Sequence, residues 1–182
     1  MSENIELGIC NMALYKLDEF YPDYKAEDFD GYDIKTFDVY AVDDKVGSVQ
    51  NVLVDEDDGR FRYFIIDTGF WVFGKKVLLP VGLAEIDYEN RRVLVPRLTK
   101  GQVEDLPEFS EDLAIDDEYE ERVRGVYRPS LATTATPSTF DYDPATYNYK
   151  REPYFYNMND ERMRTYEQRF LRMRNRNAVE MR

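Results

Sequence analysis

Between Asp30 and Leu98, apolar residues recur at every second position in short runs separated by turn residues, a period that predicts strands rather than helices. "IKTFDVYAV" (34–42) places Phe37, Val39 and Ala41 on one face. "VGSVQNVLV" (46–54) is a second run, bounded by the turns "DDKVG" and "DEDDG". "RFRYFIID" (60–67) is a third, with Phe61, Tyr63 and Ile65 on one face and Phe64 and Ile66 on the other. A helix over 60–67 fits its length but conflicts with its β-branched and aromatic content. "GKKVLLPV" (74–81) follows, and then "AEID" and "RRVLV" flank the turn "YEN". Short strands at this spacing predict a mainly β fold, a small antiparallel, partly open barrel or a sandwich.

The flanks follow a different period. In "MALYKLDEFYPDY" (12–24), Leu14, Leu17 and Phe20 would share one helical face until Pro22 ends it, so residues 1–24 are expected to form an extension with a short helix. "LTKGQVEDLPEF" (98–109) predicts one or two helical turns capped by Thr99, with Gln102 in the reciprocal position and Pro107 at the end. Val103 and Leu106 would lie back over the barrel. The barrel domain thus spans 25–110.

Residues 111–158 are charged, then Pro- and hydroxyl-rich, then tyrosine-rich, and are read as a linker. Residues 159–178 hold the clearest helical pattern in the chain. Met163, Tyr166, Phe170 and Met173 recur at spacings of three, four and three, and arginines fill much of the rest. Asn159 is the expected cap, with Asp160 and Glu161 opposing the helix dipole.

Charge narrows the range of functions. The 182 residues carry a formal net charge of −13. Residues 1–110 hold 23 acidic and 12 basic side chains, whereas 160–182 hold four acids against seven arginines. An acidic body with a basic end argues against a general nucleic-acid binder and favours a basic protein partner. There is no histidine, which removes the usual imidazole bases and metal ligands. The single cysteine, Cys10, has no partner for an intrachain disulfide. No phosphate-binding glycine loop and no paired C-x-x-C occurs. "DEDDG" fails as a calcium loop, because with Gly59 at the sixth position Val54 and Ile65 fall where acids are needed. No cofactor or metal is expected. "MSENIELGIC" lacks the pattern of a signal peptide, and "VLLPVGLA" is far shorter than the ~20 residues that span a bilayer. The expectation is a cytoplasmic protein without membrane insertion, with docking onto a membrane complex left open.

The least polar stretch, "FIIDTGFWVFGKKVLLPV" (64–81), sets Phe70, Trp71 and Phe73 between Gly69 and Gly74, with Lys75 and Lys76 next. On one reading the aromatics fold over and plug the barrel. On the other, Trp71 stays exposed beside Lys75 and Lys76 and anchors a partner. The lysines have a plainer reading as solvated strand-edge charges. The apolar face of the last helix, Met163, Tyr166, Phe170 and Met173, either docks on the barrel, in cis or across a homodimer, or belongs to an arm that folds on an external partner.

The strands and turns resemble a PRC-barrel domain. The residues that carry the resemblance are "FDVYAVDDKVGSVQNVLVDEDDGRFRYFIIDTG" (37–69), "FWVFGKKVLLPVG" (70–82) and "RLTKGQVEDLPEF" (97–109), about half the chain. The family includes the cytoplasmic part of the H subunit of photosynthetic reaction centres and the C-terminal domain of a ribosomal-RNA maturation factor. The N-terminal "ALYKLDEFYPDY" and the tyrosine-rich tail look like a cyanobacterial-type branch, whose members often carry a second, stress-associated domain. "DERMRTYEQRFLRMRNR" looks like the opening helix of such a domain. The resemblance implies a non-enzymatic binding or scaffolding module with a protein partner, linked to photosynthetic or stress-response machinery. A small-molecule or pigment binder using the barrel interior is the alternative, and an enzyme is a third reading that no cluster of acids in the sequence marks out.

Overall fold

The computed structural model describes residues 13–69, 74–112, 115–131 and 140–180. Seven strands form one sheet that does not close: β1 (Leu14–Lys16), β2 (Asp38–Tyr40), β3 (Lys45–Asp55), β4 (Phe61–Asp67), β5 (Lys76–Pro80), β6 (Glu85–Asp87) and β7 (Arg92–Leu94). The order is β5-β4-β3-β2-β7-β6. One edge of the long β3 pairs with β4, and the other holds β2 near its start and β1 near its end. The expected mainly β, partly open barrel is present: the pairing is antiparallel except at one seam, where β2 and β7 run parallel.

Most strands lie where the alternation places them. The first is shorter than expected. Asp33 accepts a hydrogen bond from the Lys35 amide, which turns Ile34–Thr36 into a single 3-10 turn before β2 begins. The N-terminal helix is also shorter, because Leu14 belongs to β1 and faces Asp55 in the register, so only α1 (Leu17–Phe20) is helical. Pairing with β3 satisfies the backbone groups that a helix over 12–16 would have used. In the turn between β3 and β4, Gly59 takes φ +71, as that reversal requires, and its amide donates to the Asp55 carbonyl.

Every residue from Phe61 to Ile66 is buried, so β4 is covered on both faces. On one face Ile66 lines the barrel interior with Val39, Val46, Val77 and Leu79. Helix α2 (Lys100–Asp105) adds Val103 to that interior, and its C-cap Leu106 follows; the helix starts at the expected capping box in which Thr99 and Gln102 bond reciprocally. On the other face Phe61 meets α5 (Glu161–Glu180), and Tyr63 meets α3 (Asp117–Leu131) and α4 (Pro153–Tyr156).

Residues 111–158, expected to be a linker, contain α3 and α4 together with buried tyrosines at 119, 127, 147, 149 and 156. The helical period of α3 is hidden in the sequence because two of the side chains it buries are Glu120 and Arg124.

Helix α5 lies on its own barrel. Met163, Tyr166 and Phe170 are buried, and Met173 is half-buried against the same core. Phe170 sits 5.0 Å from the Tyr21 ring and 5.2 Å from Phe29. Glu167 accepts the Phe61 amide at 2.9 Å, and Arg174 donates to the Glu56 carbonyl at 2.8 Å. The cap is Asp160 rather than Asn159. Its carboxylate accepts the Met163 amide and the Tyr88 hydroxyl, while the Asn159 side chain donates to the Gly82 carbonyl.

Candidate docking cleft and the buried network beside it

Helix α3 presents two sets of side chains. Its inner face carries Glu120, Arg124 and Tyr127, each at most 2% exposed. Tyr127 donates to the Leu78 carbonyl of β5 at 2.8 Å and so closes part of an edge strand. The Glu120 carboxylate accepts from the Tyr63 and Tyr149 hydroxyls at 2.9 Å each. Arg124 donates to the Tyr156 hydroxyl at 3.0 Å and to Glu121 at 3.0 Å, and its guanidinium stacks 4.0 Å from the Tyr147 ring. Arg128 holds Glu152 through 2.9 and 2.8 Å bonds and also pairs with Glu121.

Donor capacity fixes the hydroxyl directions. Arg124 only donates and an ionised Glu120 only accepts. With Glu120 ionised, Tyr63 donates to it, and the 2.6 Å contact between Tyr63 and Tyr156 then runs from Tyr156 to Tyr63. Burial raises the pKa of all three tyrosines, Tyr63, Tyr149 and Tyr156, so they stay neutral. Burial pushes Glu120 up to about 7, against the pull of Arg124. Burial also opposes ionisation of Glu152, but its hydrogen bond from Arg128 leads a set of contacts that together hold it below the usual carboxylate range. Glu120, Arg124 and Glu152 are sealed from solvent, whereas Glu121 and Arg128 lie partly exposed at the edge of the network.

The outer end of α3 forms one wall of a cleft of about 370 Å³. Val95, Leu98 and Tyr127 make an apolar floor, and Leu83, Leu131 and Tyr154 make the walls. Glu85, Arg97, Ser130 and Asn159 supply the polar rim. Tyr154 is 46% exposed, high for an aromatic side chain. Ser130 accepts from Gln102, which ties α2 to α3 at the rim. The opposite wall depends on Gly82. A Cβ there would stand against the Tyr154 carbonyl oxygen and 2.7 Å from the Phe155 carbonyl carbon, so only glycine lets α4 sit on this turn. Gly82→Ala is expected to cost about 1–3 kcal/mol as α4 is forced off the turn, read from the urea midpoint. An unchanged midpoint would show that α4 moves freely.

Of the residues singled out in the sequence, Phe70, Trp71 and Phe73 lie outside the described residues. Lys75 is half-buried and donates to the Glu104 carbonyl at 2.8 Å, at the end of α2. Lys76 is half-buried on the edge strand β5, and its carbonyl accepts the Phe109 amide. Both lysines thus meet the α2 region, away from the cleft. Met163, Tyr166, Phe170 and Met173 come together on the barrel as one packed face. Sequence reasoning missed Glu120, Arg124, Glu152, Tyr127 and Tyr154. One signal was present: Glu120 and Arg124 stand four apart, as do Arg124 and Arg128, so all three fall on one helical face.

The cavity at the barrel centre measures about 10 Å³, room for roughly one water molecule. Among the described residues, no group of three or more His, Cys, Asp or Glu is arranged to hold a metal ion, and no helix is long and apolar enough to cross a membrane.

The sequence has a relative in Deinococcus radiodurans, an uncharacterized protein 38% identical over 109 residues. The match covers 58% of this chain and 39% of the relative's length. The PRC-barrel domain family model matches residues 26–102, which run from the first 3-10 turn (Ala26–Phe29) through the whole sheet from β2 to β7 and into α2. The open, mainly antiparallel sheet with α2 across its interior, together with that match, identifies residues 26–102 as a PRC-barrel domain.

Proposed function

We propose that this chain is a non-enzymatic protein-interaction module whose docking surface is the cleft between α3, α4 and the β6–β7 end of the sheet. One observation carries the reading: a cleft whose apolar walls, Leu83, Leu131 and the half-exposed Tyr154, stand over a closed apolar floor inside a polar rim. That is the make-up of a site for one or two large apolar side chains of a partner, with rim groups setting orientation. The buried network supports the same view, since its charges are spent on holding α3 and α4. A binder using the barrel interior would need hundreds of Å³ where about 10 Å³ is present. A partner from photosynthetic or stress-response machinery is the family-level form of this proposal.

The test uses the full chain as bait in native lysate, beside Leu83→Glu and Arg97→Glu. Leu83 is half-buried and Arg97 exposed, so neither change should shift stability by more than about 1 kcal/mol. The expected result is loss of a specific co-purifying protein with both variants at unchanged unfolding midpoints. Equal recovery by the variants would rule out this cleft.

A further inference from the structure

The network under α3 contains more negative than positive groups. Glu120, Glu121 and Glu152 face two guanidiniums, Arg124 and Arg128. Glu121 and Glu152 both bond directly to a guanidinium at 3.0 Å or less. Glu120 does not. Its closest guanidinium nitrogen is Arg124 Nη1 at 4.0 Å, and that group donates to Tyr156 instead. Glu120 is therefore the odd carboxylate, deprived of water and without a direct cation.

We propose that Glu120 is the proton-carrying member of this network, and that its deprotonation loosens α3 and residues 147–156 from β4, making their attachment a pH-sensitive latch. Every element packed on Glu120 agrees. β4 offers Tyr63, the turn Tyr149–Arg151 offers Tyr149, and α4 offers Tyr156. Tyr63 and Tyr149 touch Glu120 directly and are neutral hydroxyls that accept a carboxyl proton as readily as they donate to a carboxylate, while Tyr156 stands behind Tyr63. The Tyr149 ring carries the Arg62 guanidinium at 4.3 Å, but Arg62 is committed to Asp55 and Asp58. On α3 itself, Arg124 favours the ionised form and Asp117 opposes it.

The sign of the pH effect follows. A carboxyl whose folded pKa, about 7, lies above its ordinary 4.5 gives full stability below the ordinary value and loses it as pH rises through the folded one. Asp55 and Glu167, both raised by burial, act in the same direction at other contacts, on Arg62 and on the Phe61 amide. Because Tyr127, Ser130 and Leu131 of α3 line the cleft, the latch would also set the shape of the proposed docking site. The latch itself does not depend on that reading and is tested without any partner.

The experiment compares the full wild-type chain with Glu120→Gln by hydrogen exchange at pH 6.0 and 8.5, corrected for intrinsic exchange rates. In parallel, the Glu120 side-chain carboxyl of the wild type is titrated by carbon NMR. The expected result is a loss of protection over 117–131 and 149–156 in the wild type at the higher pH, up to about tenfold for one carboxyl shifted to about 7, with β3 and β4 retained. In Glu120→Gln the same segments should be insensitive to pH, and the wild-type carboxyl should titrate near 7. Equal pH responses in the two proteins would overturn the proposal. So would a Glu120 carboxyl titrating at its ordinary value, a readout that stands even if the variant does not fold.

Discussion

Replacing Arg124 with methionine is expected to destabilise the fold by about 3–5 kcal/mol, among the largest effects of any single substitution in this chain. Methionine keeps much of the side-chain volume and removes the charge. Arg124 is 1% exposed, and its guanidinium lies 3.0 Å from Glu121, 3.9 Å from Glu152 and 4.0 Å from Glu120. Without it, Tyr156 loses its donor and three carboxylates are left with Arg128 alone. The cost comes from stranding buried charge, more than from the net worth of the ion pairs. Two features separate this from a simple packing defect. The loss should shrink as pH falls from 8 to 5, because Glu120 can then take a proton. Adding Glu120→Gln should restore part of it, since the amide needs no cation. Urea unfolding of both single variants and the double variant measures this directly. Additive losses that do not change with pH would mean that the network is not electrostatically coupled.

The sheet was legible in the sequence and the network was not, for the same reason. Alternation reports a strand when one face is wet, or when both faces are apolar and turns mark the ends, as at "RFRYFIID" and "GKKVLLPV". The capping box at Thr99 and Gln102 was equally plain, because it is a local device three residues long. In α3 the side chains that face inward include a glutamate and an arginine, so a hydropathy pattern marks the buried face as surface. The tyrosine-rich stretch failed similarly. Tyr147, Tyr149 and Tyr156 show no period of two or of 3.6, because a turn and a four-residue helix aim them at a common point on α3 and β4. The parallel seam between β2 and β7 lies beyond any local pattern, since it joins segments about fifty residues apart. The cleft is assembled from four separate stretches of chain, none remarkable by itself.

The apolar stripe of the last helix, by contrast, was visible, and the structure shows what it covers. Phe170→Ala is expected to cost about 3–5 kcal/mol. The ring is fully buried, with Tyr21, Phe29, Tyr24 and Phe61 at centroid distances of 5.0, 5.2, 5.9 and 6.2 Å. Alanine would leave a cavity bounded by four large rings, two from the barrel domain (Phe29, Phe61) and two from the N-terminal segment (Tyr21, Tyr24), which close over it only in part. Outside this seam α5 is held by polar contacts of its Glu167, Arg169 and Arg174, two of the three to backbone carbonyls. The seam therefore supplies most of the attachment. Met173→Ala, at the half-buried end of the same stripe, should cost no more than about 1–2 kcal/mol, and Val179→Ala, 71% exposed, less than about 0.5. Hydrogen exchange on Phe170→Ala should show protection lost along 161–180 and around Phe29, with α3 and its network still protected, since the two helical covers share no direct bond among those that hold the network. A loss under 1 kcal/mol, or equal deprotection of α3, would mean that α5 is attached in some other way than through this ring.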